Sequence, residues 1–348
     1  MSPALRRLPF SGVLLVLVVL LVAIAVAGVG VGSVSIPPGR VLHLLAEATR
    51  APWWGPDADP DLAILMAIRL PRVVVGLLVG AALAVAGAQM QGLFQNPMAS
   101  PDVIATSTGA ALGAVLAFVL GLSALHVAWI PAFACTGALV SLAIIYALTT
   151  RRGRTPVPML LLAGVALNAL LGAATSFLIS LSFVRYEVAQ EVLFWMMGGL
   201  DDRTWTHVLM AAPPIAVGLV AALVLARDLD LFTTGEEAAA TLGLDVERAK
   251  LRVLAVAAIL TGTAVAVCGV IGFVGLIVPH AVRLVVGPAH RRLIPAVALA
   301  GAAFVVAADL VARTVVAPTE LRLGIVTGLC GAPFFLWLLA QYRREVGA

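Results

Sequence analysis

The stretch LAILMAIRLPRVVVGLLVGAALAVAGAQMQGLF, residues 62–94, decides the fold class of this protein. It is a continuous run of mostly Leu, Val, Ala, Ile and Gly in which Arg69 and Arg72 are the only charged residues. A helix of about 20 apolar residues crosses a bilayer core of about 30 Å, so the run is long enough to span a membrane. A transmembrane barrel would instead show segments of about ten residues that alternate polar and apolar. The stretch therefore predicts a transmembrane α-helix.

Comparable apolar runs occur along the whole chain. Hydrophobic residues make up 62% of its 348 residues and charged residues 11%, whereas soluble domains contain roughly 25% charged residues. The further candidate spans are residues 10–31, 103–122, 127–148, 157–181, 208–226, 251–268, 271–286, 293–316 and 323–339. The sequence therefore predicts an all-α polytopic membrane protein with about ten transmembrane helices in a single domain, residues 1–348.

Basic residues collect in alternate loops, as they do on the cytoplasmic side of membrane proteins. These loops and termini contain Arg6, Arg7, Arg151, Arg152, Arg154, Arg227, Arg248, Lys250, Arg252, Arg291, Arg292, Arg343 and Arg344. The loops between them are rich in acids, such as Asp59, Asp61, Asp201 and Asp202. We therefore expect both termini to be cytoplasmic.

The amino terminus and the first outer loop carry two further expectations. Arg6 and Arg7 before the apolar residues 10–31 resemble a signal peptide, but the run exceeds the usual h-region of about 7 to 15 residues. A retained first helix is therefore expected. Residues 32–61 predict an outer loop with an interfacial helix, because Trp53 and Trp54 suit the headgroup region.

One polar segment interrupts the apolar pattern between two spans, RDLDLFTTGEEAAATLGLDVERAKLR at residues 227–252. A short helix is predicted from Glu236 to Leu242, with Thr233 or Thr234 near its start, acids in its first turn and Gly243 as a stop. Taken alone, the segment is either an ordinary solvated loop or a docking helix for a cytoplasmic partner.

Several longer motifs resemble one known family. They are RLPRVVVGLLVGAALAVAGAQMQGLFQNPMASPDVIATSTGAALGA (69–114), LLLAGVALN (160–168), FWMMGGL (194–200), GEEAAATLGLDVER (235–248), GVIGFVGLIVPHAVRLVVGPAHRRLIPA (269–296) and GAPFFLWLL (331–339). Together they are similar to the FecCD-type permeases of ABC importers for iron siderophores, haem and cobalamin. The resemblance implies ten helices per subunit and two permease subunits around a central path.

The resemblance also implies a set of partners in a bacterial cytoplasmic membrane. These are membrane lipid, a second permease subunit that is either a copy or a homologue, two ATP-binding cassette subunits and an extracytoplasmic substrate-binding protein. The implied cargo is an iron chelate, either a ferric siderophore or haem, with cobalamin as the alternative. Which of these ligands is carried stays open at this point.

Nucleotide chemistry is expected in a partner rather than in this chain. Lys250 is the only lysine, and no GxxxxGK[ST] motif surrounds it, so the chain has no Walker A phosphate loop. ATP and Mg²⁺ are therefore expected in a partner ATPase, and the chain itself is expected to be a transport subunit without a cofactor. By resemblance, the ATPase-coupling segment within residues 227–252 comprises Gly235, Glu236, Glu237, Ala238, Ala239, Thr241, Leu242 and Gly243.

Three arginines are candidate docking residues for the binding protein. Arg69 and Arg72 lie three residues apart on one helical face, and Arg313 lies four residues after Asp309, close enough for an intrahelical pair. An arginine in hydrocarbon costs at least about 2.5 kcal/mol, so these side chains are expected to reach the interface or water. They are either snorkelling anchors or, by resemblance, the cationic sites that receive acidic residues of the binding protein.

Two loops on the expected inner side match the family's cytoplasmic gate. The candidate gate residues are Asn96, Met98, Val157 and Pro158, although ordinary helix-ending Asn-Pro chemistry explains the first pair as well. Val157 and Pro158 replace small hydroxyl residues found in some relatives. A further departure is Arg322, where many relatives have proline.

Other functional classes find little support in the sequence. Thr106, Ser107, Thr108 and Thr175 could line a ligand path or mediate helix contacts. An ion-coupled secondary transporter would carry carboxylates within its spans, where only Asp309 is a candidate. The three cysteines and five histidines show no metal-ligand spacing, so no metal site is predicted. The net charge of +4 is spread between apolar runs rather than on one face, which argues against nucleic-acid binding.

Overall fold

The computed structural model describes residues 9–32, 36–48 and 59–346, with no side chain described at residue 339 or at residues 341–346. Within these ranges the chain is almost entirely helical, and its only described β-type pairing is an isolated bridge between Arg151 and Arg154. Trp53 and Trp54 lie outside the described residues, as do Arg6 and Arg7. The all-α prediction is confirmed.

The described α-helices follow the predicted order. They are α1 Phe10–Gly30, α2 Pro38–Ala48, α3 Pro60–Ile64, α4 Leu70–Leu93, α5 Thr106–Val119, α6 Trp129–Thr149, α7 Val157–Ser182, α8 Tyr186–Met196, α9 Trp205–Val224, α10 Ala226–Phe232, α11 Glu236–Thr241, α12 Val246–Cys268, α13 Val274–Val286, α14 His290–Thr314 and α15 Leu323–Val346. Among the described residues, 7 helical stretches are long and apolar enough to cross a membrane, and α5, α13 and α15 are shorter apolar helices. Together they match the predicted spans one for one.

A wide helical turn interrupts the second span and ends at the first of its two arginines. Residues Leu65–Arg69 form a π-helical turn, and the N–H of Leu70 bonds to the carbonyl of Leu65, five residues earlier. Pro71 explains it, because its ring crowds the carbonyl four residues before it and it lacks an N–H of its own. Arg69 and Arg72 consequently meet different partners, which spacing alone did not predict.

Helix α4 is the centre of the bundle and packs closely against α14 and α13. A side chain at Gly80 would collide with the backbone of Gly301 in α14, and one at Gly87 with the carbonyl of Gly275 in α13. Small residues thus let the backbones of these helices approach closely.

A sharp reversal separates α12 from α13. Gly269 takes a positive φ of 72°, which costs glycine little because it has no Cβ. Residues 270–273 then turn the chain back, and Gly275 packs against α4. The glycine-rich stretch therefore ends one buried helix and begins another.

The long helices carry their residues to two opposite faces of the bundle. With about 1.5 Å of rise per residue, the 24 residues of α4 extend roughly 36 Å. We call the end with Arg69, Arg72 and Arg313 the arginine face. The other end is the coupling face, with α10, α11 and the loops at residues 94–105 and 150–156. The start of α1 also lies there, since Arg292 stacks over the Phe10 ring at 6.0 Å.

Candidate functional site

The coupling face presents a short, largely exposed helix. Helix α11 begins after Gly235, whose φ of 95° suits glycine, and the chain leaves it through Gly243 at φ 88°. Thr233 and Thr234 donate to backbone carbonyls behind them rather than capping α11. Of the helix itself only Ala239 is buried. The remaining predicted coupling residues, Glu237, Ala238, Thr241, Leu242 and Gly243, are exposed, and Glu236 is half-buried.

Lys250 connects α11 to the rest of the coupling face. Its side chain is 1% exposed, and its Nζ donates to Glu236 Oε2 at 2.6 Å, to the Thr155 carbonyl at 2.9 Å and to Glu247 Oε1 at 3.2 Å. These three acceptors match the three donors of an ammonium group. Glu247 Oε2 in turn accepts the N–H of Thr155 at 3.0 Å. The network therefore joins α11, α12 and the loop that precedes α7.

The first candidate gate loop follows α4 and touches the coupling segment directly. Asn96 is exposed, and its Oδ1 accepts the N–H of Met98 at 2.9 Å, which is the helix-ending geometry that Asn-Pro sequences favour. Gln95 donates from Nε2 to the carbonyl of Phe232 at the end of α10. This loop is therefore fastened to α10 by a side chain next to Asn96.

The second candidate gate loop leads into α7. Val157 is half-buried and Pro158 is exposed, at the first turn of that helix where proline is well tolerated. Further along α7, Asn168 donates to the carbonyl of Asp102 at 2.7 Å and bonds to Thr108 at 2.5 Å. Helix α7 is thus attached to the segment that follows the first gate loop.

One of the residues offered as path or contact residues joins two helices: Thr108 of α5 bonds to Asn168 of α7. Two others make local bonds. Thr106 is fully buried and donates to the Pro101 carbonyl, and Thr175 donates to the Leu171 carbonyl one turn earlier.

The three candidate docking arginines are buried inside the arginine face. Arg69, Arg72 and Arg313 are 4%, 9% and 7% exposed. Arg69 donates to the carbonyls of Val29 and Gly30 at 2.8 and 2.9 Å, and Arg313 donates to the carbonyl of Gly28. Backbone carbonyls at the end of α1 thus accept from Arg69 and Arg313, so the protein itself holds these two guanidinium groups at this end of the bundle.

Asp309 holds the cluster together from α14. Arg72 donates from Nε and Nη2 to the carboxylate oxygens of Asp309 at 2.8 to 3.1 Å, and Nε of Arg313 lies 3.6 Å from Asp309 Oδ2. The predicted intrahelical pair is therefore present, but the shorter contacts come from α4. Arg72 also pairs at 2.9 Å with Glu320, whose side chain is 45% exposed. Glu320 thus lies between the buried cluster and the surroundings.

Arg322 lies in a cavity of about 330 Å³ on the same face. It bonds to Asp201 at 2.5 Å and stacks over the Phe194 ring at 4.7 Å. Burial alone would raise the pKa of Asp201, yet the hydrogen bond and charge of Arg322 hold that pKa below its ordinary value. The arginine that replaces the proline of many relatives thus ties α15 to the loop after α8.

Comparison of the sequence with known protein families identifies the family of this chain. The FecCD transport family model matches residues 15–341. The chain belongs to the FecCD transport family. It is accordingly a multi-pass membrane permease of the ABC-importer type.

Three relatives of known name span most of its length. The cobalamin import system permease protein BtuC of Halobacterium salinarum is 50% identical over 82% of this chain and 75% of its own. The hemin transport system permease protein HmuU of Yersinia pestis is 43% identical over 86% and 90%. The Fe(3+) dicitrate transport system permease protein FecD of Escherichia coli is 41% identical over 80% and 86%.

A solved structure shows the same architecture. It is described as an inward-facing conformation of a metal-chelate type ABC transporter, and it is 31% identical to this chain with a TM-score of 0.82. The match covers 95% of this chain and 99% of the other. The span order described above is thus shared by a transporter of the same type.

Proposed function

We propose that this chain is the permease subunit of an importer for a metal complex of an organic ligand, with an iron chelate as the cargo. The cargoes that name the three relatives, cobalamin, hemin and ferric dicitrate, are all metals held by organic ligands. A ferric siderophore or haem is the first candidate. Cobalamin is the second, because the relative at 50% identity is named for it.

The observation that carries this proposal is that the coupling face and the arginine face lie at opposite ends of α4. On one face, α10 is bonded to the loop next to Asn96, and the exposed helix α11 is linked through Lys250 to the loop next to Val157. On the other, a buried arginine cluster pairs with the half-exposed Glu320. A chain that receives a carrier on one side and an ATPase on the other needs this arrangement.

The partner on the coupling face is proposed to be the ATPase, which would use the ATP and Mg²⁺. Beside α11 lies a cavity of about 610 Å³. Its lining includes Gly153 and Arg154 of the loop before α7, Glu237 of α11, and Asp245 just before α12. Its carboxylates suit basic groups of a partner. Two such ATPases and a second permease subunit would complete the importer, with this face in the cytoplasm.

Deleting Glu236–Thr241 tests this assignment. The variant is expected to insert into membranes and to lose co-purification with the ATPase, because the exposed side of α11 is gone. Deleting Leu122–Ala124, a short helix on the arginine face, is the matched control and should keep co-purification. Unchanged co-purification of the first variant would defeat the ATPase assignment.

The arginine face is proposed to receive acidic residues of the substrate-binding protein. Since Arg72 is covered by Glu320, the change Glu320→Ala should strengthen binding of that protein at low salt, and Arg72→Gln should weaken it. Both are measured by surface plasmon resonance on the permease in nanodiscs. Equal affinities for parent, Glu320→Ala and Arg72→Gln would refute docking at this cluster.

The cargo is tested by uptake into proteoliposomes that hold the permease, its ATPase and its binding protein. Radiolabelled ferric siderophore, haem and cobalamin are compared with and without ATP. ATP-dependent uptake of an iron chelate or haem is expected, and uptake should survive collapse of the proton gradient. Uptake of cobalamin alone would favour the second candidate, and gradient-dependent uptake would favour a secondary transporter.

A further inference from the structure

The coupling segment, residues 226–243, is held differently in its two helices. In α10, Leu229 and Phe232 are buried in the main core, and Asp230 accepts the N–H and Nδ1 of His290 at 2.7 and 2.8 Å at the start of α14. Helix α11 buries only Ala239. Helix α10 is therefore anchored to a long helix, whereas α11 has fewer buried contacts to hold it.

Two side-chain contacts lead from this segment to the two gate loops, one to each. Gln95 connects Phe232 of α10 to the loop that contains Asn96. Lys250 connects Glu236 of α11 to Thr155, which follows the turn at residues 151–154 and lies two residues before Val157. Neither contact was evident from sequence spacing.

The lysine contact is the more constrained of the two. Both backbone polar groups of Thr155 are engaged, its carbonyl by Lys250 at 2.9 Å and its N–H by Glu247 at 3.0 Å. The Thr155 hydroxyl also meets that of Thr150 at 2.8 Å, across the turn. Because Lys250 is fully buried with all three donors used, a movement of Glu236 cannot be absorbed by a rotamer change alone.

We propose that Lys250 and Gln95 are positioning residues that transmit displacement of the coupling segment separately to the two gate loops, Lys250 to residues 150–158 and Gln95 to residues 94–98. This rests on the proposed function, which supplies the ATPase and the gates. Within it, the inference assigns a transport role to the chain's single lysine, and to a glutamine that no pattern singled out. The two contacts reach different loops, so loss of one contact should impair the response of its own loop and leave the other loop unaffected.

The test uses the permease in complex with its ATPase in nanodiscs, with Cys135, Cys268 and Cys330 replaced by alanine. Val157→Cys reports on the second loop and Met98→Cys on the first. The labelling rate of each cysteine by a water-soluble maleimide is measured without nucleotide and after trapping with ATP and vanadate. In the parent, each rate is expected to change about fivefold or more on trapping, the range of typical coupling energies.

Lys250→Met is expected to abolish the change at position 157 while leaving the change at position 98. Gln95→Leu is expected to do the reverse. In both variants the ATPase should still co-purify and hydrolyse ATP. A purely structural role would disturb both reporters together, so this crossed pattern separates transmission from loss of packing.

Two further variants keep the test independent of folding. Glu236→Gln leaves Lys250 paired with Glu247 and removes only the charged link to α11, so it should lose the response at position 157 without stranding a buried charge. Arg248→Met is the matched control, because this basic residue two positions away on α12 is 82% exposed and pairs with Asp245 on the surface. It should respond as the parent does.

The outcomes are distinguishable. If the parent responds and Lys250→Met and Glu236→Gln respond equally, the transmission role of Lys250 is wrong while the proposed function stands. If Lys250→Met and Gln95→Leu each weaken both reporters to the same degree, separate transmission is wrong. If the parent shows no nucleotide-dependent change or no ATPase, the proposed function fails and the inference fails with it.

Discussion

The two faces of the bundle each bury cations, and they differ in what those cations hold. On the arginine face, three guanidinium groups join the ends of α1, α4 and α14, and two of them, Arg72 and Arg313, meet Asp309, whose side chain is 3% exposed. On the coupling face, Lys250 joins α12 to a six-residue helix through Glu236 and Glu247, which are 41% and 26% exposed. The first cluster joins long buried helices, and the second holds a short helix of which only Ala239 is buried.

The comparison has a physical basis in burial. A carboxylate sealed among arginines cannot exchange its partners for water, so breaking that cluster leaves charges stranded. A carboxylate at the edge of the protein can be hydrated when its partner leaves. The arginine face is therefore expected to contribute mainly to stability, and the lysine network mainly to coupling.

The largest effect is expected from Asp309→Asn. It removes the charge that holds Arg72 and Arg313, and the loss of one partner of a buried pair costs about 3–5 kcal/mol of unfolding free energy. Unfolding is followed by circular dichroism during titration with sodium dodecyl sulfate. Glu320→Gln is the control, since it meets the same Arg72 from a half-exposed position and should cost less than about 1 kcal/mol. Equal costs for the two variants would break the comparison.

A smaller loss is expected from Lys250→Met in the same titration. The Thr155 carbonyl loses a donor, which costs about 1–3 kcal/mol, while water can reach both carboxylates. The stability of this variant should therefore exceed that of Asp309→Asn. A loss as large as that of Asp309→Asn would mean that the lysine network braces the fold as rigidly as the arginine cluster does.

The smallest effect is expected from Arg322→Leu, and it should depend on pH. The folded-state pKa of Asp201 is held below its ordinary value, so the pair contributes above that ordinary value and the contribution is lost as pH falls through the folded pKa. At neutral pH the loss should be about 0.2–1 kcal/mol, because both side chains are partly exposed.

The measurement for Arg322 is thermal unfolding at several pH values in detergent. The difference between parent and variant should shrink below a pH of about 4, near the ordinary pKa of aspartate. Arg322→Lys is the control, because it keeps a charge but loses the planar stacking on Phe194. A difference that persists in acid would assign the effect to the aromatic contact instead of the ion pair.

Much of the fold was predictable from local patterns. The spans and the short helix at Glu236 each depend on residues close in sequence, such as apolar runs and helix-start acids. The candidate site was predictable only in part. Gly235 and Asn96 carry local backbone signals, but their roles as coupling and gate residues remain predictions from the family.

The contacts that the sequence missed lie between different helices. Spacing paired Arg313 with Asp309 within α14, but it did not predict that Arg72 of α4 makes the shorter contacts to the same carboxylate. The sequence analysis considered Lys250 as a basic loop residue and as a lysine without a Walker A motif around it, and neither consideration predicted that it is buried with three partners. No local signal identified Gln95, whose contact is a backbone carbonyl on another helix.

The sequence by itself determined that this protein is a bundle of membrane-spanning helices, because lipid offers the backbone no hydrogen bonds and apolar runs of this length then have to be helical. Only the tertiary structure decided the partners of the buried cations. Arg72 meets Asp309 across 237 residues, and Lys250 meets Thr155 across 95. Contacts at such separations follow from how helices pack, and helical periodicity describes only which residues share a face.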